Sequence, residues 1–239
     1  MLIIYCLTNK CVEFSNISIP GIDKQKLEVI SDEKITAVVS RIENHILKQP
    51  LTEHLLEYQK VIEFFHKTNT LIPMRFGETF QSHSDILHFL KHNGKKYTSI
   101  LNDISGCSEM GINVIAESLN ETIKDKRQKK GNTDNDEYRI KNKSELSGKN
   151  YLMNRKSYYD QTDHAEKTIL DVEKKIMNHM EGIFIKKKKE IKNNQLYAYY
   201  FLVKKDKINL FCQKFKTITN ENNIKYMLTG PWPPYNFVV

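Results

Sequence analysis

His83, His88 and His92 come nearest to a metal site in this chain, because the last two stand four apart and share one helix face, as zinc ligands do. The ligand set is incomplete. No Glu follows His88, a metal site needs three or four converging ligands, and the histidines read as exposed side chains with no metal. Asp160 and His164, also four apart, read as a surface pair. No Gly-rich phosphate loop, nucleophile elbow, His-Glu-x-x-His or Cys-x-x-Cys occurs, and the nine glycines are scattered singly. The reading is therefore of a chain that is not an enzyme and takes no cofactor.

Two other places carry chemistry of recognition. Arg75 follows Pro73-Met74 and precedes Phe76-Gly77, at a strand exit among apolar neighbours, where a guanidinium wants a partner. Glu109, at the start of an alternating strand, could take it bidentately as a structural ion pair, and breaking such a buried pair costs about 3 to 5 kcal/mol. A second reading puts Arg75 and Phe76 on a partner-binding surface, since Arg and aromatics anchor interfaces. The terminus Leu228 to Val238 holds the only tryptophan inside a proline-rich run. Pro231, Pro233 and Pro234 fix φ and remove donors, which excludes a helix interior or a central strand. Trp232, Tyr235, Phe237 and Val238 each need an apolar surface. The tail is thus docked, either on its own protein, covering a seam between two domains near the Arg75 loop, or on a partner, and Trp232, Tyr235 and Phe237 join Arg75 and Phe76 as candidate partner-binding residues.

The elements that would position these residues follow from hydrophobic period. Before a polar stretch, strands are expected at Leu2 to Leu7, Ile35 to Ser40, Leu71 to Pro73 and Met110 to Ile115. Leu51, Leu55, Tyr58, Ile62 and Phe65 share a helix face, and Gly94 and Gly106 end two further helices, Asp85 to Lys91 and Lys95 to Ile104. Lys, Asp and Asn crowd out large apolar residues from Asn120 to Lys143, which reads as a bridge. After it, Tyr151 to Ile183 carries one long amphipathic stripe, about 45 Å at 1.5 Å per residue. Strands Ile183 to Ile191 and Leu196 to Val203 join through Asn193-Asn194, and a helix from Asp206 to Asn220 precedes a strand at Ile224 to Leu228. The fold class is α+β with two domains: an N-terminal α+β domain at 1–119, a linker at 120–146, a modified ferredoxin-like domain with a long helix at 147–229, and an extended proline-rich tail at 230–239.

The 239 residues suffice for a sizeable core, and Cys6, Cys11, Cys107 and Cys212 form no paired motif, which points to a reduced, cytoplasmic setting. The opening apolar run stops at Thr8-Asn9-Lys10, too short for a signal or a membrane span. The net charge of +8 raises nucleic acid as a partner, yet much of the excess sits in Lys124 to Lys130 and Lys186 to Lys189, which read as solvated runs. Neither nucleic acid nor membrane is expected as a partner.

Gly230-Pro231-Trp232-Pro233-Pro234-Tyr235-Asn236-Phe237 resembles the C-terminal signature of the gas vesicle protein GvpF/GvpL family. Leu71 to Phe80, built around Arg75-Phe76-Gly77, resembles a second family block; Ser147-Gly148-Lys149-Asn150-Tyr151-Leu152 resembles a third; Glu109 to Val114 resembles a family strand beginning with Glu. Tyr58 and Glu78 depart from the pattern, standing where a His and a small residue are common. The resemblance spans nearly the whole chain. It implies a non-enzymatic accessory protein, a minor component of the gas vesicle, which binds the hydrophobic shell protein GvpA and other accessory proteins, limits shell-protein aggregation and supports assembly. The alternative is a basic RNA- or ligand-binding module, in which Tyr197, Tyr199 and Phe201 would stack on bases from a ferredoxin-like sheet.

Overall fold

The computed structural model of the chain describes residues 1–9, 19–116, 167, 169–193, 196–218 and 224–238. The expected bridge at 120–146, the first half of the long stripe, and the Asp160–His164 pair lie outside them.

The protein is α+β with two antiparallel sheets. The first contains β1 (Leu2–Asn9), β2 (Leu27–Ser31), β3 (Ile35–Arg41), β4 (Leu71–Pro73) and β5 (Thr79–Phe80), ordered β2-β3-β1-β4 with β5 also pairing β1. β1 is buried from Leu2 to Thr8, as its unbroken apolar run requires of a strand covered on both faces. Leu2 and Ile4 pack beneath α3 (His83–Asp103), with Ile86, Leu90 and Leu101. Ile3 and Tyr5 face the opposite way, onto Tyr58, Val61, Ile62 and Phe65 of α2 (Thr52–Thr68) and Ile46 of the short α1 (Asn44–Lys48).

α3 runs unbroken through Gly94, where a helix end was expected. The apolar face of Ile86, Leu90 and Leu101 outweighs the roughly 1 kcal/mol that a mid-helix glycine costs. Its start is fixed by a capping box: Asp85 N–H donates to Ser82 Oγ at 3.2 Å and Ser82 N–H to Asp85 Oδ2 at 3.0 Å. Gly106, φ +66°, does take the left-handed conformation after the helix.

The second sheet contains β6 (Cys107–Ala116), β7 (Phe184–Asn193), β8 (Leu196–Lys204) and β9 (Ile224–Trp232), ordered β7-β8-β6-β9. Here the structure corrects two expectations. The Met110 strand, grouped with the first half by its position before the bridge, is an inner strand of this sheet, pairing with both β8 and β9. The last strand continues past Leu228 to Trp232 across a cis Gly230–Pro231 bond, so the proline-rich run begins as an edge strand, where a missing donor does least harm.

α4, described at residues 169–180, and α5 (Ile208–Lys216) cover one face of this sheet. Val172, Ile176 and Met180 of α4 and Phe211 of α5 meet Met110, Ile112, Val114, Tyr199 and Phe201. α5 is shorter than expected, its end closed by Thr217 Oγ1 donating to Lys214 O at 2.7 Å. The turn expected at Asn193-Asn194 reaches beyond the described residues. Leu202 and Cys107 point to the other face and join the core under α3, so the sheets meet along a seam.

Candidate partner interface at the seam of the two sheets

Tyr58 organises the near side of the seam. Its ring stacks on Tyr5 at 5.0 Å and meets Phe76 edge-on at 5.3 Å, while its hydroxyl lies 2.8 Å from Ile4 O and 3.0 Å from Met74 O. One hydroxyl proton thus ties β1 to the loop carrying Arg75 and Phe76, and burial raises the phenol's pKa, keeping it neutral and donating. Behind it, Tyr5 OH shares a 2.7 Å bond with Ser40 Oγ and accepts from Ile22 N–H at 3.0 Å. A Cβ at Gly21 would stand 2.6 Å from that hydroxyl, so only glycine fits beside it.

From the far side, residues 233–238 cross onto the first half. Tyr235 OH lies 2.7 Å from Gln59 Oε1 on α2 and its ring packs against the α2 core, while Phe237 and Val238 pack against the α3 core. Asn236 donates to both oxygens of Glu109, from its backbone N–H at 2.8 Å and from Nδ2 at 2.7 Å. Lys188 Nζ on β7 reaches Asn236 O at 3.5 Å. Glu109 is 3% exposed. Burial raises its pKa, and the two Asn236 bonds with the more distant Lys188 charge pull the other way.

Glu109 therefore has a partner other than the expected Arg75. Arg75 is exposed, and the described residues form no Arg75–Glu109 ion pair. Backbone register explains why: Glu109 sits opposite Trp232 on β9, which delivers Asn236 to it. Of the five candidate interface residues, Phe76, Tyr235 and Phe237 are part-buried in the two cores, while Arg75 and the 41%-exposed Trp232 face outward. Arg75→Ala should therefore move stability by less than about 0.5 kcal/mol, as for a surface change, and a urea midpoint would show it.

A second contact across the seam was not legible in the sequence. His66, in the last turn of α2, lies with Nε2 3.0 Å from Ser108 Oγ of β6, while Lys205 Nζ bonds His66 O at 2.6 Å, capping the helix. Its Nδ1 is buried with no partner among the described residues. Burial first, then the Lys205 charge, lowers the His66 pKa to about 4. The folded protein thus holds this imidazole neutral while the unfolded chain protonates it near pH 6.5, so its contribution is present above that pH and is lost as pH falls. The loss reaches about 2 kcal/mol by pH 5 and levels off near 3 below the folded pKa. Urea melts of wild type and His66→Gln between pH 7.5 and 4.5 should converge as pH falls; parallel curves would remove His66 as the cause.

His83 pairs with Glu28 Oε2 at 2.9 Å, and His88 and His92 lie ring over ring at 6.5 Å beside a shallow depression of about 320 Å³. No group of metal-ligating side chains converges among the described residues. Cys6, Cys107 and Cys212 are free, and Cys11 lies outside the described residues.

A family model described as gas vesicle synthesis protein GvpL/GvpF matches residues 1–239. The chain belongs to this family. Gas vesicle protein L1 of Halobacterium salinarum is similar at 22% identity, over 98% of this chain and 89% of the relative. The fold is that of two crystal structures of the gas vesicle protein GvpF. The one from an Anabaena strain gives a TM-score of 0.74 at 15% identity, and the one from Microcystis aeruginosa 0.73 at 13%; each match covers 100% of this chain and 98% of the other. Membership supports an accessory role and association with the gas vesicle. Among the described residues no helix is long and apolar enough to cross a membrane.

Proposed function

We propose that this GvpL/GvpF family member is a non-catalytic, cytoplasmic assembly factor that binds the apolar shell subunit GvpA, limits its aggregation and hands it to the growing vesicle. One observation carries the reading. The apolar stripe of α2 that buries Tyr58, Ile62 and Phe65 overshoots the core: Leu51 and Leu55 continue it at 59% and 44% exposure, and Leu56, next in sequence to Leu55, is 54% exposed. A cluster of large exposed aliphatics has no role in a monomer's own stability and is a feature of surfaces that meet partners. The face lies one helical turn from Gln59, where Tyr235 of the tail is held. A shell subunit with a face turned to gas is an aggregation hazard until assembled, and such a surface suits its temporary cover. The net charge of +8 keeps the complex soluble.

The RNA-binding alternative loses its stacking platform. Tyr197, Tyr199 and Phe201 are 8%, 2% and 0% exposed and face the helix-covered side of the sheet. Light scattering of the shell subunit diluted from denaturant, with an equimolar amount of this chain, tests the proposal. Suppression that persists from low to high salt supports apolar capture; suppression that fades steeply with salt would point to a charge-driven partner instead.

A further inference from the structure

The two edges of the second sheet are unlike. β7 carries Lys186 to Lys189 and Glu190 in succession, the charged dressing that stops a strand edge from pairing with another chain. β9 carries one charge, Lys225, in nine residues, and among the described residues it pairs with β6 alone. On the face shared by Thr229, the side chain of Met227 stands 49% exposed, with that of Trp232 41% exposed further along the same strand. Pro231 and the irregular register opposite Glu109 limit regular pairing to the stretch ending at Thr229.

We infer that the β9 edge, centred on Met227 to Thr229, is a strand-addition site whose occupant is an uncharged, extended segment of an apolar partner protein, with alternate apolar side chains lying on Met227 and Trp232. The charge difference selects this occupant. An acidic segment would gain more at the lysines of β7, and a helix would leave the backbone groups of β9 unused, whereas an uncharged strand pairs with them and covers the two exposed side chains. The inference deepens the proposed capture of an apolar subunit by naming the conformation in which a part of it is held. It assigns that segment to β9 while the leucines of α2 cover another part.

Hydrogen exchange on the full chain tests it, using a capped eight-residue peptide of alternating valine and threonine. The matched probe is the same peptide N-methylated at every second residue, which keeps the apolar surface and abolishes one edge's hydrogen bonds. The expected result is about tenfold slower exchange at residues 227–229 with the unmethylated peptide only. Met227→Lys, an exposed substitution, should abolish the protection with an unchanged melting temperature. Equal protection by both peptides, protection at β2 or β7, or none at β9 would overturn the inference. The peptide contains no shell subunit, so failure here leaves the scattering result untouched, and a failed scattering test leaves this one interpretable.

Discussion

Tyr58→Ala should lose on the order of 4 kcal/mol, the largest single-residue effect expected in this protein. The ring lies between Tyr5 and Phe76, and aromatic-to-alanine changes in cores cost about 3 to 5 kcal/mol through lost contacts and the cavity left behind. Tyr58→Phe isolates the hydroxyl. It keeps the stack but leaves Ile4 O and Met74 O without this donor, which should cost about 1 to 2 kcal/mol. Urea unfolding of the two variants separates ring from hydroxyl, with unchanged m-values expected. If Tyr58→Phe matched wild type, the hydroxyl would not be what ties the Arg75 loop to β1.

Glu109→Ala should cost about 3 kcal/mol, because it leaves the Asn236 N–H and Nδ2 unpaired against the buried seam and removes two charge-assisted bonds. Its effect should be local in a way that Tyr58→Ala is not. The tail would loosen first, so exchange at Tyr235 to Phe237 should rise before that of β1, and Trp232, the only tryptophan, should report a change in emission. The pH dependence has the opposite sign to that of His66. A carboxyl whose folded pKa is raised by burial gives stability below its unfolded pKa and loses it as pH rises through the folded value. The penalty from deleting Glu109 should therefore be smaller near neutrality than in mild acid, and a penalty that shrank on acidification would contradict the burial-raised carboxyl.

What sequence revealed and what it hid divide along range. β1 and β4 carry continuous apolar runs and β3 a β-branched stretch around Ile35 to Val39, and all three were legible almost to the residue, as were the paired strands β7 and β8. β2 and β5 leave no strand pattern in the sequence, because Leu27–Ser31 mixes polar and apolar residues at an edge and Thr79–Phe80 is two residues long. The α2 period was legible, but not where its burial ends, since Leu51 and Leu55 continue the pattern into solvent. In the sequence Glu109 is legible only as a possible partner for Arg75. Its donor, Asn236, is 127 residues away and reaches it only through the β6–β9 register, which no local pattern encodes. His66 and Ser108 meet for the same reason, at the junction of a helix end and a strand start from different sheets.

In the proposed function an exposed apolar surface on α2 captures the shell subunit. The most direct test repeats the scattering assay with Leu51→Ser, Leu55→Ser and Leu56→Ser combined in one chain. These side chains are exposed, so the melting temperature should change little. The triple variant, folded and soluble, is expected no longer to suppress scattering of the shell subunit at high salt. Suppression equal to that of wild type would contradict it.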